Sequence, residues 1–443
     1  MHMKPNHLMP ITSALVLAAA SAVYAQEKPY TAPVAPAAPA AQPTAIEKFL
    51  NVDGKLPEAL AKGKFNLNAR LRYEFADGQT TTPAHAPTLR TRFGFTSAPL
   101  NGFQGMVEAE NITALGDRAN YGLPGIGPAG KTVVADPPTT EINQAWASYA
   151  KYDTTLKAGR QRIVLDNHRF VGDVGWRQNM QTYDAASIES KYFKDFNLYY
   201  GFAWDVNRVF GDVAGLPAAN RDFDSESHFL NFSYSGWKYG KVTAYAYLLE
   251  FDNSAANSSA TYGLSFAGAY TFDKETNLKA NYRAEYAFQT DYKNSALASF
   301  DCHYYNLESS LDYKKFNVGA GYEVLGSNQN GTRGFGTPLA TLHAFNGWAD
   351  IFLATPTTGL RDVYAFAGVK LPWEMPLKVI YHKFDADRGG ADFGYEYDAV
   401  LSRAFGKNWV AMLKYAYYDG KAPAGNAGQV DTQKLWAQVE FNF

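Results

Sequence analysis

The stretch Leu435-Trp436-Ala437-Gln438-Val439-Glu440-Phe441-Asn442-Phe443 decides the fold. Apolar and polar residues alternate up to a terminal phenylalanine, the pattern of a strand with one oily and one wet face. A soluble protein would seldom leave such a strand bare at its terminus. Working outward, the same alternation runs through Phe65-Asn66-Leu67-Asn68-Ala69-Arg70-Leu71-Arg72-Tyr73-Glu74-Phe75 and through 278–288. Both have the ~9–11 residues that a tilted membrane-spanning strand requires.

At the other end, Lys4 precedes the apolar run Ile11–Ala20 and then Val23-Tyr24-Ala25. A charged start, a short apolar stretch and a small-residue cleavage site read as a secretory signal over residues 1–25. The run falls well short of the ~20 apolar residues of a membrane helix. Residues 26–64 read as a periplasmic linker, Ala/Pro-rich to 45 and with room for a short helix near 57–62. The barrel proper is expected over 65–443, exported to the outer membrane. There Phe443 resembles the C-terminal aromatic read by the barrel-insertion machinery.

Composition agrees. Aromatics make up 15% of the chain, with 30 Tyr and 29 Phe, while mean hydropathy is only −0.31. An aromatic-girdled outer band facing membrane lipid and a polar lumen average to such a value. A formal net charge of −2 gives no case for a nucleic-acid partner. The single Cys302 excludes an internal disulfide framework and a cysteine-based metal cluster.

Further strands fit near 88–97, 103–112, 141–150, 154–161, 182–192, 197–206, 227–235, 239–251, 261–271, 300–311, 316–325, 361–370, 377–384, 394–404 and 408–418. The expected architecture is an all-β, antiparallel, up-and-down transmembrane barrel of about eighteen strands. Short periplasmic turns alternate with long extracellular loops at 76–87, 113–140, 162–181, 207–226 and 326–360. Register is least determined in strands four to six, where alternation is poor.

Parity then assigns faces. Arg70, Arg72 and Glu74 point inward, because arginine at mid-membrane on the lipid face costs ~2–4 kcal/mol. Arg90 and Arg92 on the second strand, Glu108 and Glu110 on the third, and Lys279, Arg283 and Glu285 on the eleventh follow the same inward parity. A barrel of this size is too wide for wall side chains to fill and leaves an aqueous channel. The arginines read either as a selectivity feature of that lumen or as wall charges paired across strands.

Several blocks carry a family likeness: Asn143-Gln144-Ala145-Trp146, Leu156–Gln161, Leu165-Asp166, Arg169-Phe170-Val171-Gly172, Trp176–Asp184, and His343–Asp350 with Gly359–Asp362. Together they resemble the signature of the alginate export family. The resemblance implies an eighteen-stranded outer-membrane porin, lined by basic residues, that conducts an anionic polysaccharide. Arginine binds carboxylates bidentately, so the block holding Arg160, Arg169 and Arg177 reads as a contact for a uronate chain. A compact loop tied by its own ion pairs is the competing reading of that block.

Enzyme signatures such as Gly-x-Ser-x-Gly or His-Glu-x-x-His do not occur. Asp385–Gly390 resembles a calcium loop but has Arg388 in a ligand position and lacks the later glutamate, so it reads as a hairpin tip. No cofactor or metal is expected. The expected function is passive passage of anionic solutes or acidic oligosaccharides. The alternative is a structural or surface-binding barrel whose loops block the lumen.

Overall fold

The computed structural model describes residues 55–443 except 79–81, 125, 129, 298 and 422–429. The leader read over 1–25 and most of the spacer lie outside the described residues. The helix expected near 57–62 is α1 (Leu56–Ala61). Eighteen strands follow: β1 (Lys64–Asp77), β2 (Ala84–Thr96), β3 (Phe103–Ala114), β4 (Thr139–Lys151), β5 (Thr154–Gln161), β6 (Thr182–Ser190), β7 (Phe196–Asn207), β8 (Asp222–Tyr234), β9 (Lys241–Leu249), β10 (Ser259–Asp273), β11 (Leu278–Thr290), β12 (Asp301–Tyr313), β13 (Phe316–Leu325), β14 (Leu360–Leu371), β15 (Met375–Asp385), β16 (Asp392–Phe405), β17 (Trp409–Gly420) and β18 (Thr432–Asn442).

Each strand pairs antiparallel with its neighbours in sequence, and β1 pairs with β18 to close the ring. Closure matters physically because no edge is left to expose unpaired backbone to lipid. The last residue takes part: Phe443 N–H donates to the Leu67 carbonyl at 2.9 Å, and Leu67 N–H to Phe443 at 3.1 Å. On β18, Leu435, Ala437, Val439 and Phe441 share the outer face, while Lys434, Gln438 and Glu440 point inward. Trp436 breaks the apolar-out rule, since it lies in the inward phase and is fully buried.

The lumen departs from the sequence reading. The segment 162–181 leaves from the loop end of β5 but turns into the barrel, as does much of 326–359. Ile163, Phe170, Val171, Phe335, Leu339, Trp348 and Phe352 from these segments pack against Tyr183, Phe229, Tyr245, Tyr304, Phe384 and Trp436 of the wall. The cause is apolar surface: exposed outside, these rings would face water, whereas the wide lumen offers inward aromatics to bury them. The expectation that 162–181 and 326–360 are loops lying outside the barrel is therefore corrected: both reach into the lumen. Segment 208–221 is shorter than expected because β8 starts at Asp222.

Candidate pore constriction

On the β1–β2 wall, Arg70 and Arg90 are directly opposite, and Asn68 faces Arg92. Like charges so placed repel, so each needs partners. Glu440 of β18 supplies one carboxylate to both: Arg70 Nε donates at 3.0 Å and Arg90 Nη2 at 3.1 Å. Arg72 donates to Gln438 Oε1 at 3.0 and 2.7 Å. Arg92 pairs with Glu110. Glu108 accepts from Asn66 at 2.6 Å and Asn143 at 2.7 Å.

The four guanidiniums also gather the inserted segment. Arg70 Nη1 donates to the carbonyls of Gly175, Trp176 and Arg177 at 3.1–3.2 Å. Arg72 Nη2 reaches Trp176 O at 2.6 Å and lies over its ring at 4.3 Å. Arg90 and Arg92 donate to Gln178 O at 3.4 and 3.3 Å. A loop whose backbone oxygens point outward thus meets a wall of donors.

From β5 the segment crosses the lumen. Asp166 meets the far wall, accepting from Arg283 at 2.6 Å, Lys241 at 3.1 Å and Ser265 at 3.1 Å. Arg169 donates to Glu323 at 2.8 Å and Asn346 at 2.9 Å. Arg177 reaches Glu74 at 3.0 Å and Asp350 at 3.0 Å. Two pairs stay near the loop's own base: Arg160 with Asp184 at 2.8 and 2.9 Å, and Arg162 with Asp173. Burial alone would lower the Arg177 guanidinium; Glu74, Asp136 and Asp350 outweigh it and hold it above its ordinary value.

The second inserted segment brings residues the sequence reading missed. Asp350 accepts from Arg177, from Lys434 at 2.9 Å, and pairs with His343 Nδ1 at 2.7 Å. His343 Nε2 lies 2.7 Å from Lys414 Nζ. That ammonium sits 3.7 Å over Trp348 and 4.1 Å over Trp176, a cation–π contact on two inserted rings. His343 stacks on Trp176 at 4.2 Å. Burial, then Lys414 and Arg177, push His343 well below its ordinary value despite Asp350, so its ring is neutral: Nδ1–H donates to Asp350 and Nε2 accepts from Lys414. Gly347 has φ +85°, and a Cβ there would run into Glu396. Its absence lets Ala349 N–H donate to Glu396 at 2.7 Å and Trp348 N–H to Asp398 at 3.3 Å.

Of the sequence candidates, Arg70, Arg72, Arg90, Arg92, Glu110 and Arg177 meet in one network and Arg169 in a second. Arg283 anchors Asp166, Arg160 stays at the loop base, Glu108 binds amides, and Lys279 lies near the turn before β11, outside these networks. Lys414, Lys434, Trp436 and Glu440 were findable by inward parity, Trp436 as an aromatic in a polar phase. His343 and Asp350 had only their family-like block to mark them. Cys302 and His303 face opposite sides of β12, the thiol buried inside. Asp385–Gly390 forms the β15–β16 tip. Among the described residues, no three His, Cys, Asp or Glu are grouped to hold a metal.

With this geometry in view, residues 62–328 match the alginate export family model. The chain matches no curated protein. Similar solved structures include OccAB2 of Acinetobacter baumannii, at 18% identity and a TM-score of 0.68 over 87% of this chain and 99% of that one. A BenF-like porin from Pseudomonas fluorescens Pf-5 has 12% identity and a TM-score of 0.67, covering 87% and 100%. OpdK of Pseudomonas aeruginosa, solved with vanillate, has 13% identity and a TM-score of 0.65, covering 87% and 99%. At such identities these structures bear on the fold.

Proposed function

Because the chain belongs to the alginate export family of outer-membrane channels, we propose that it passes anionic solutes, carboxylates or short uronate chains, through a constriction built by its two inserted segments. The carrying observation is the arginine group: Arg70, Arg72, Arg90 and Arg92 form one inward patch on two adjacent strands. A wall needing only solvation would not oppose Arg70 to Arg90. Guanidiniums fixed in a confined, poorly screened space attract anions. That the similar OpdK was solved with vanillate, a carboxylate, supports this class of solute.

One observation favours the second reading, a loop-blocked barrel that binds partners outside. Arg169 with Glu323 and Arg177 with Glu74 are buried ties between segment and wall, and Arg177 with Asp350 ties the two inserted segments to each other. Liposome swelling separates the two. Proteoliposomes of the purified chain should swell faster in sodium glucuronate than in an isotonic neutral sugar. Swelling no faster than protein-free liposomes in either solute would support the blocked barrel, and faster swelling in the neutral sugar would refute anion preference.

A further inference from the structure

On the lipid-facing wall, one arrangement occurs three times. In β1–β2, Phe75 lies directly opposite His85, and Tyr73, two residues earlier, places its hydroxyl 2.7 Å from His85 Nδ1. In β7–β8, Phe202 opposes His228 and the Tyr200 hydroxyl lies 2.9 Å from Nδ1. In β11–β12, Phe288 opposes His303 and the Tyr286 hydroxyl lies 2.9 Å from Nδ1. Each imidazole rests against its phenylalanine at 5.1–5.5 Å between ring centres. His168, His343 and His382 lie inside the barrel, so every described histidine on the outer wall belongs to this arrangement.

All three hairpins are closed by extracellular loops, and each pair marks the upper limit of the apolar band. Below His228 the outer face of β8 carries Leu230 and Phe232; above it come Glu226 and Asp224. Below His303 lie Tyr305 and Leu307, and above it Asp301. On β1 the band ends at Phe75 and Asp77 follows. Cations stand beyond the rim at two pairs: Lys131 Nζ donates to Pro83 O at 3.1 Å beside His85, and Lys293 lies 3.5 Å from Glu226 beside His228.

We propose that Tyr73/His85, Tyr200/His228 and Tyr286/His303 are contacts for phosphate-bearing lipid headgroups of the outer leaflet. When the phenol donates to Nδ1, the neutral ring carries its own proton on Nε2, and that N–H has no protein partner among the described residues. It is a donor fixed at headgroup height, beside an apolar band that holds acyl chains. The pairs stand six, four and eight strands apart around the eighteen-strand ring. A protein partner would cover one side, whereas lipid covers all three.

The test uses the full purified chain in mixed micelles, with native mass spectrometry and imidazole 15N shifts as readouts. The probes are dioleoyl phosphatidate, dioleoylglycerol with the same chains and no phosphate, and inorganic phosphate. Phosphatidate alone should be retained and should move the Nε2 resonances of the three histidines. H85F/H228F/H303F keeps the aromatic girdle and should weaken retention by about tenfold, the scale of losing charge-assisted hydrogen bonds. If the triple variant misfolds, each single variant should lose its own share of bound phosphatidate. Equal retention by wild type and variants would overturn the proposal. So would equal retention of dioleoylglycerol, or the same Nε2 shifts with inorganic phosphate, which would mark a site for free anions.

Discussion

At Asp350 a single buried carboxylate meets Arg177 and Lys434 and orients His343. Burial would raise its pKa, but His343, Lys434 and Arg177 outweigh that and hold it well below the ordinary carboxylate range. Removing one partner of such a group leaves uncompensated charge in a dry place. Asp350→Ala should therefore lower stability by about 3–5 kcal/mol, read as an earlier denaturant midpoint in detergent. An unchanged midpoint would mean that water reaches Arg177 and Lys434 freely. His343 makes the same point through pH. Its lowered pKa means that the unfolded or expelled ring binds a proton more readily than the seated one. The contribution is full above the ordinary histidine value of 6.5 and is lost as pH falls below it toward the lowered one. Protonation would set an imidazolium against Lys414, with Arg177 and Arg72 near. Asp350, Asp398 and Glu396 are the facing carboxylates that offset this. Channel recordings between pH 7.5 and 5 should show growing open-state noise in wild type and a flat response in His343→Gln; identical traces would show that His343 does not help to hold the inserted segments.

At the scale of elements, strands and inserted segments were legible to different degrees. The first and eleventh strands stood out because an inward charge and an outward apolar residue alternate for a full membrane crossing. Strands β5 and β6 were also placed within two residues, although their alternation is poor. The destination of 162–181 was not legible. Its charges, Asp166, Arg169 and Arg177, look the same whether they pair within a loop or reach the wall. Only the register of β1, β11 and β13 shows that Glu74, Arg283 and Glu323 wait inside at matching heights. The same logic hid His343 and Asp350, whose partners Lys414 and Lys434 lie over sixty residues away in sequence. A consequence is testable on whole cells in a Cys302→Ala background. Cysteine introduced at Asp117 or Asp212 should react quickly with a bulky maleimide, since Asp212 is 88% exposed. Cysteine at Arg169 or Asn346 should react slowly. Fast reaction at the latter two would put these segments outside the barrel.

For the whole molecule, a closed ring solves the backbone problem in lipid, and the inserted segments solve the width problem in water. Eighteen strands enclose more space than wall side chains can fill, and the aromatic and ion-paired segments occupy part of it. The fold was legible from alternation, loop lengths and the closing strand, because those follow directly from a bilayer's two solvents. The solute was not, because selectivity depends on which charges remain uncompensated once distant segments have folded inward. The arginine patch is where the two meet: it carries Gly175–Gln178 on the inner wall of β1 and β2, and the proposed anion preference rests on it. The most direct measurement is therefore the reversal potential in a salt gradient across a planar bilayer, for wild type and for R70Q/R72Q/R90Q/R92Q. Anion preference is expected in wild type and, in a variant that still folds and conducts, a shift toward cations with larger conductance as 175–178 loses its donors. A folded, conducting variant with an unchanged reversal potential would contradict it, leaving the arginines as wall structure alone.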